Sequence, residues 1–574
     1  MRAGGAVIAV VVTAALAACA PPALVKRANR HAQEALRQSQ QALAVAREEA
    51  ARRRLAVNEL QSRVSELEAH EAALAQAVYA RQAGAAVAKA PAAWGQTRQR
   101  TDRVFRDIVT QAKALASRPY RAPSAIDPVL RSLSYDDYGK ISFPGRLPGW
   151  PKEMPFHVSL YPAGYLFTWP VAIHVVRGQR MFRARIAAAV HGDPRLAQRL
   201  PAVVPTAGFS VYHHAAGTPL VDEFLSFLGA SYFRAVGLGE AWGSSARGVA
   251  VDTALPYHRE EFPYFRAFWI VTPGPNARHL GICALLDSPS LTGAYRFIVR
   301  PGTSTVMEVK AVLFQRRKVR RLGIAPLTSM YLQGRFSAHR YNRLIRGAHD
   351  SDGLLIDTGR GKRLWRPLRN PRRLAVTRFA LRDPRGYGLM QRARRAQDYR
   401  ALGMHYENRP SVWVSPEGDW GNGHLLLVEL PTDSQSNDNI SVFWVPDRQT
   451  PPGQPATFRY RIVWTGATPF DTKLGYVSSS RYSYNARLHR ETYIVDFRGK
   501  RLADPVLTQV TPRVSIRGPA RVSGAWATRS GEPGRWRLQF TVERTGPGPA
   551  TIEAALTGHG KRLTEIWTGD FPLH

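Results

Sequence analysis

Cysteine is nearly absent: 574 residues contain two, Cys19 and Cys283. A disulfide framework cannot organise such a chain, so its stability must come from a hydrophobic core. Acidic residues are scarce as well, 43 Asp and Glu against 80 Lys and Arg, which leaves a formal charge of +37. Such an excess points first to nucleic acid, because clustered Lys and Arg replace counterions on phosphates. No G-x-S-x-G occurs, which excludes a nucleophile elbow, and GRGKR at 359–363 lacks a Walker pattern. His349-Asp350 has no Cys or His at ligand spacing, so no zinc site is expected, and no other metal or organic cofactor is called for. Helical and strand-like segments do not alternate, which argues against a parallel α/β sheet.

The chain has no apolar run long enough for a comfortable membrane span, which takes ~20 residues. Its longest candidate opens the sequence, MRAGGAVIAVVVTAALAACAPP, one Arg and then about fifteen apolar residues, the layout of a secretory signal. Leu16-Ala17-Ala18-Cys19 resembles a bacterial lipobox, so residues 1–19 read as a lipoprotein-type signal with Cys19 as the acylated position. The alternative is an ordinary signal peptide that contains a Cys. Ala20 fits sorting to the outer rather than the inner membrane, and the expected location is the periplasm, held by a lipid anchor. An exported protein meets no chromosome, so nucleic acid drops out as a partner. The positive charge then faces anionic lipid or glycan. Cys283, in HLGICALL, reads as a small core residue.

What is present is β-rich. Hydrophobic residues make up 44% of the chain, enough for a substantial core, and 46 Gly and 41 Pro punctuate short runs such as YRFIVRPG. Residues 28–83 are the exception, free of Gly and Pro and read as one long helix. There Val57, Leu60, Val64, Leu67, Leu74 and Val78 form a coiled-coil seam interrupted at Glu71, a route to a homo-oligomer. A solvated helical spacer fits the same pattern. Gly84 to about Trp94 reads as a linker and 102–117 as a short helix, so residues 20–102 form a helical segment and linker. Beyond it, 103–465 reads as a β domain and 478–574 as an immunoglobulin-like β-sandwich. Hairpins are expected in YRFIVRPGTSTVMEVKAVLF and in VWVSPEGDWGNGHLLLVEL.

Two polar knots interrupt this texture. TDSQSNDNIS at 432–441 is far longer than a hairpin turn needs, and AHDSDGLL lies at 348–355. Cleavage of a glycosidic bond takes one carboxylic acid to protonate the leaving oxygen and a second carboxylate to activate water or attack carbon. Asp438 and Asp350 suit those tasks, and equally suit Asx turns that accept backbone N–H bonds. A sugar cleft also needs aromatic faces, for which Trp242, Trp365, Trp413, Trp420 and Tyr406 are candidates. Each of them suits a core equally well.

Long ordered stretches carry a resemblance over roughly four-fifths of the chain: LGASYFRAVG at 228–237, SARGVAVDTALP at 245–256, EEFPYFRAFWI at 260–270, LLDSPSLTGAYRFIVRPG at 285–302, HDSDGL at 349–354, WRPLRNP at 365–371 and NDNISVFWVP at 437–446. They resemble the G/D-type periplasmic glucan biosynthesis proteins, which act on osmoregulated glucans with β-1,2-linked backbones. The resemblance implies a mainly β fold, a mutarotase-like β-supersandwich followed by an immunoglobulin-like β-sandwich. It further implies an inverting β-1,2-glucanase mechanism with Asp438 as general acid, Asp350 as general base and Tyr406 as a proton relay. Sugar contacts are expected from Trp242, Arg247, Trp365, Trp413, Trp420 and Gln435. Gln435 departs from the family pattern, which has Glu there, and loss of a neighbouring negative charge lowers the pKa of the acid. The lipobox and the long helix are the other departure. A glucan transglycosylase and a non-catalytic glucan-binding scaffold stand as alternatives to the hydrolase.

Overall fold

The computed structural model describes residues 91–571 apart from 152–153, 186, 215–220, 337–346, 360, 400–402, 469–472, 486, 505–506 and 508, together with scattered positions between 33 and 49. Those scattered positions are helical and exposed. Cys19, the coiled-coil seam and most of the expected 28–83 helix lie outside the described residues. No helix among the described residues is long and apolar enough to cross a membrane.

The first described element is longer than the sequence pattern suggests. A helix spans Pro91–Ala116, entering the stretch read as a linker. Phe105, Ile108 and Ala112, spaced three and four apart, put one apolar stripe against Cys283, Ala294, Val312 and Phe314 of the sheet beneath. Cys283 is fully buried in that layer. Thr101 sits flat on the sheet because Gly281 has no side chain; a Cβ there would meet Thr101 Oγ1 at 2.1 Å.

The rest is mainly β and sandwich-like. Among the described residues a ten-stranded sheet, built on Phe156–Pro162, Thr206–His214, Val221–Leu228, Leu322–Ser329, Asn422–Glu429 and Ile440–Pro446, faces a fifteen-stranded one. Phe227 and Phe233 from the first meet Phe268 and Phe297 from the second, with Phe227–Phe268 and Phe227–Phe297 edge to face at 5.1 and 5.2 Å. Each such pair adds about 1 kcal/mol to the burial of its area. The expected hairpin at 291–315 is present, Leu291–Arg300 pairing antiparallel with Ser304–Gln315. The second is not a hairpin. Ser411–Glu417 pairs within the larger sheet and Asn422–Glu429 within the smaller, so the chain changes layers between them. Gly418 and Gly421, both at positive φ, make that crossing.

Toward the C-terminus Tyr476–Asn485, Arg490–Arg498, Arg535–Arg544 and Ala520–Arg529 form a four-stranded sheet. Its inward residues Tyr493, Val495, Leu538 and Phe540 pack with Ile552, Leu556 and Trp567 of a second layer. That second layer is continuous with the large sheet, because Ile566–Phe571 runs parallel to Arg363–Pro367, with Trp365 opposite Trp567.

Candidate functional site

The strand Leu322–Ser329 and its continuation Tyr331–Gln333 organise the site from below. On one side Thr328 is opposite Ser441 and Ser329 opposite Ile440; on the other Tyr331 is opposite His349. Asp438 lies just before the first neighbour and Asp350 just after the second. Residues 430–439 close the hairpin between Asn422–Glu429 and Ile440–Pro446, whose last pair is Glu429 with Ile440. Asn439 fixes that long loop: its side chain accepts from Tyr331 N at 2.8 Å and donates to Tyr331 O at 3.1 Å and Leu430 O at 2.9 Å. The Asp350 backbone N–H donates to Met330 O at 2.8 Å. Two knots separated by most of ninety positions are thus stitched to opposite sides of one four-residue segment, Thr328 to Tyr331.

Their carboxylates differ in surroundings. Asp350 is buried, and its Oδ1 accepts from Arg409 Nη1. Burial pushes its pKa up; Arg409 pulls it down and the charge on Asp438 pushes it up again, for a net rise to about 6. Asp438 is open to solvent at the loop end, and its Oδ2 accepts from Thr328 Oγ1 at 3.0 Å. Protein nevertheless surrounds it closely enough for desolvation to raise its pKa, against the pull of Arg234, Thr328 and Arg409. Accessible and desolvated together is the condition of a group in a concavity. Each aspartate falls within the other's field or that of the same arginines, Arg234 and Arg409.

Tyr406 joins them. It starts a short 3₁₀ turn, Tyr406–Asn408, entered through His405 at φ 48°, and its ring lies 4.2 Å under the Arg409 guanidinium. Its hydroxyl donates to Gln435 Oε1 at 2.7 Å, tying the turn to the Asp438 loop. Trp242 is partly buried beside the same turn, where Ala241 N donates to Asn408 O at 3.1 Å and Gly243 lets the Arg409 stem pass close. Below, the buried hydroxyls of Ser244, Ser329 and Ser351 touch one another at 2.9–3.0 Å and lock three segments together.

Arg409, Thr328, Arg234 and the serine cluster were not identified from the sequence. Arg409 had a readable signal, since residues three apart eclipse in a 3₁₀ turn and Tyr406 and Arg409 stand at that spacing.

Three of the proposed sugar-stacking residues must be reassigned to the core. Trp365, Trp413 and Trp420 are 3%, 4% and 7% exposed. Gly353 lies against the Trp365 ring and the Arg392 guanidinium sits 3.7 Å from its centroid, leaving no face for a sugar. Gly386 and Gly388 pack against Trp413 in the same way, and Trp420 packs among Trp444, Phe458 and Tyr460. Arg247 is also buried, its charge met by Glu260 at 2.7 Å, and it lies between the rings of Tyr232 and Phe262. No cluster of metal-ligating side chains occurs among the described residues.

The comparisons with known proteins bear on this geometry. Residues 104–571 match the family model described as "Periplasmic glucan biosynthesis protein, MdoG". The chain belongs to that family. Among its relatives, a glucans biosynthesis protein G of Pseudomonas entomophila is 41% identical over 467 residues, covering 78% of this chain and 81% of the relative. One of Ralstonia nicotianae is 38% identical over 478 residues, covering 80% and 94%. One of Pseudomonas putida is 41% identical over 457 residues, covering 76% and 81%. The matched span includes both aspartates, Tyr406 and every strand of the two large sheets. Membership supports a place in periplasmic glucan biosynthesis.

Proposed function

We propose that this member of the periplasmic glucan biosynthesis family cleaves β-1,2-glucan with inversion at the anomeric carbon. Asp438 gives its proton to the glycosidic oxygen as the C1–O bond breaks. A water molecule attacks C1 from the opposite face, and its proton passes by way of a relay that includes Tyr406 to Asp350. The observation that carries this reading is the placement of two desolvated carboxylates on opposite flanks of Thr328–Tyr331, one accessible and one paired with a cation. Asp350, at about 6, is ionised at neutral pH and so can take a proton. Asp438, with a raised pKa, retains a proton more readily than an ordinary aspartate. Trp242 and Gln435 stand at the same place and suit sugar contacts.

Incubation of the purified protein with linear β-1,2-glucan tests the reading, with product sizing and anomeric NMR. Shorter chains that first appear as the inverted anomer are expected, with Asp438→Asn inactive. Branched or cyclised products would select a transglycosylase, tight binding without products a scaffold. An active Asp438→Asn protein would overturn the assignment of the acid. For the N-terminal region we infer acylation of Cys19 and anchoring to the outer membrane, with the 28–83 helix holding copies of the remaining domains together. A mass measurement of the mature N-terminus tests the first, and light scattering of a protein truncated before residue 91 tests the second.

A further inference from the structure

We infer that the hollow lined by Leu166, Trp169, Gly229, Ala230, Phe262 and Tyr264 is a distal subsite for the glucan whose reacting linkage lies at Asp438 and Asp350. The hollow has a volume of about 180 Å³. Its rim is apolar and open: Leu166 is 73%, Trp169 41% and Phe262 45% exposed. Singly exposed apolar residues are ordinary, but three around one concavity form a surface that water solvates poorly and a ring-faced ligand covers well. The rings are also braced. Trp169 meets the buried Tyr264 edge to face at 4.6 Å, and Phe262 packs 4.9 Å from the Arg247 guanidinium. Rigid aromatic faces lose little entropy on binding, and the C–H-rich face of a pyranose is the complementary partner.

Continuity with the acids identifies the occupant. Arg247, held by Glu260, spans from Phe262 to Tyr232, whose ring is 5.0 Å from it on the other side. Tyr232 in turn lies within the electrostatic reach of Asp438. The floor leads the same way: Gly229 and Ala230 are followed by the strand Tyr232–Ala235, whose Arg234 bears on both aspartates. Gly229 and Ala230 make the tight turn into that strand, closed by Tyr232 N donating to Gly229 O at 2.9 Å, so the hollow sits at the end of the hairpin whose second strand bears Arg234. A glucan of several units seated at the acids reaches the hollow. The inference rests on the glucan reading above.

The test uses the full chain carrying Asp438→Asn to prevent turnover, titrated calorimetrically with linear β-1,2-glucans of long and of short length. Adding Trp169→Ala with Phe262→Ala should weaken binding of the long glucan about tenfold, the loss of roughly 1.4 kcal/mol, and leave the short one unchanged. Trp169→Tyr, which keeps a ring, should bind the long glucan nearly as well as its parent; it and Phe262→Ala alone serve if the double variant melts early. Unchanged binding of the long glucan, or equal weakening of both lengths, would overturn the subsite and leave the glucan reading standing. Failure of the Asp438→Asn parent to bind either length would overturn the reading and the subsite with it.

Discussion

Two aspartates set against arginine, Asp350 buried and Asp570 partly buried, behave in opposite ways in the two halves of the β region. Asp570, where the last strand joins the large sheet, accepts from Arg366 and from Arg369, at 2.5 and 3.1 Å. Burial pushes its pKa up, but two cations with their hydrogen bonds outweigh it and hold the group below the usual aspartate range. Asp350 is bonded to one cation, Arg409, with Arg234 a lesser influence and a second carboxylate in its field, and burial wins, raising it to about 6. The first arrangement neutralises a charge in order to join elements. The second leaves a charge under-compensated, the condition in which a carboxylate exchanges protons near neutral pH.

The largest effects are expected when each aspartate is replaced by asparagine. Asp350→Asn should lower the rate of glucan cleavage by about 10²- to 10⁴-fold, the usual contribution of a general base, measured as product formation. Its stability should move the other way from that of a structural pair. In the folded protein Asp350 holds its proton to about pH 6, above its unfolded value, so its stabilising contribution is present at acidic pH and disappears as pH rises through about 6. Asn cannot ionise, so at pH 7.5 this variant should resist urea at least as well as the parent, and at pH 4.5 it should have no such advantage. Asp570 has the depressed pKa, so its contribution is present above the unfolded value and is lost only as pH falls through the folded one. Asp570→Asn should therefore cost about 3 kcal/mol at pH 7.5 by urea denaturation, because Arg366 is left buried with weakened compensation, while folded protein retains its activity.

Much of this contrast was legible in the sequence, unevenly. Asp350 and Asp438 stood out because polar knots interrupt apolar strand runs, and the ordered stretches around them gave the family. The mainly β architecture followed from Gly- and Pro-punctuated runs. The tryptophans misled because a ring near a polar knot looks the same whether a sugar or a glycine lies against its face. Gly353, Gly386 and Gly388 decide the matter for Trp365 and Trp413, and only the strand register brings them there. The false hairpin at 411–429 has a similar cause: two adjacent apolar runs with glycines between them satisfy a hairpin pattern, and nothing local says that they belong to different sheets. The same limit hid the pairing of Arg363–Pro367 with Ile566–Phe571, a contact between positions some two hundred residues apart.

The cation Arg409 sets where Asp350 titrates. Removing it makes Asp350 less like Asp570, since the largest influence pulling its proton off disappears and only the lesser pull of Arg234 is left against burial and Asp438. Arg409→Met, which still covers the Tyr406 ring, should move the acidic limb of the rate profile upward by about one pH unit. Activity near pH 6 falls while activity near pH 8 is largely retained. An unmoved acidic limb would show that Asp350 is not the group titrating there.

The smallest effect is expected at Gln435, and it tests the other carboxylate. Gln435 accepts the Tyr406 hydroxyl through its side-chain oxygen, a bond that glutamate can make with the same geometry and an added negative charge. Asp438 works as an acid only while protonated, and a nearby anion holds that proton on. Gln435→Glu should therefore shift the basic limb of the profile to higher pH by less than about one unit, because the two groups are separated by a solvent-accessible loop. The shift should shrink as salt is raised toward 1 M, where the Debye length falls to about 3 Å. A shift independent of salt would mean that the new carboxylate acts by rearranging the Tyr406 hydrogen bond, and would place Tyr406 rather than Asp438 at the origin of the basic limb.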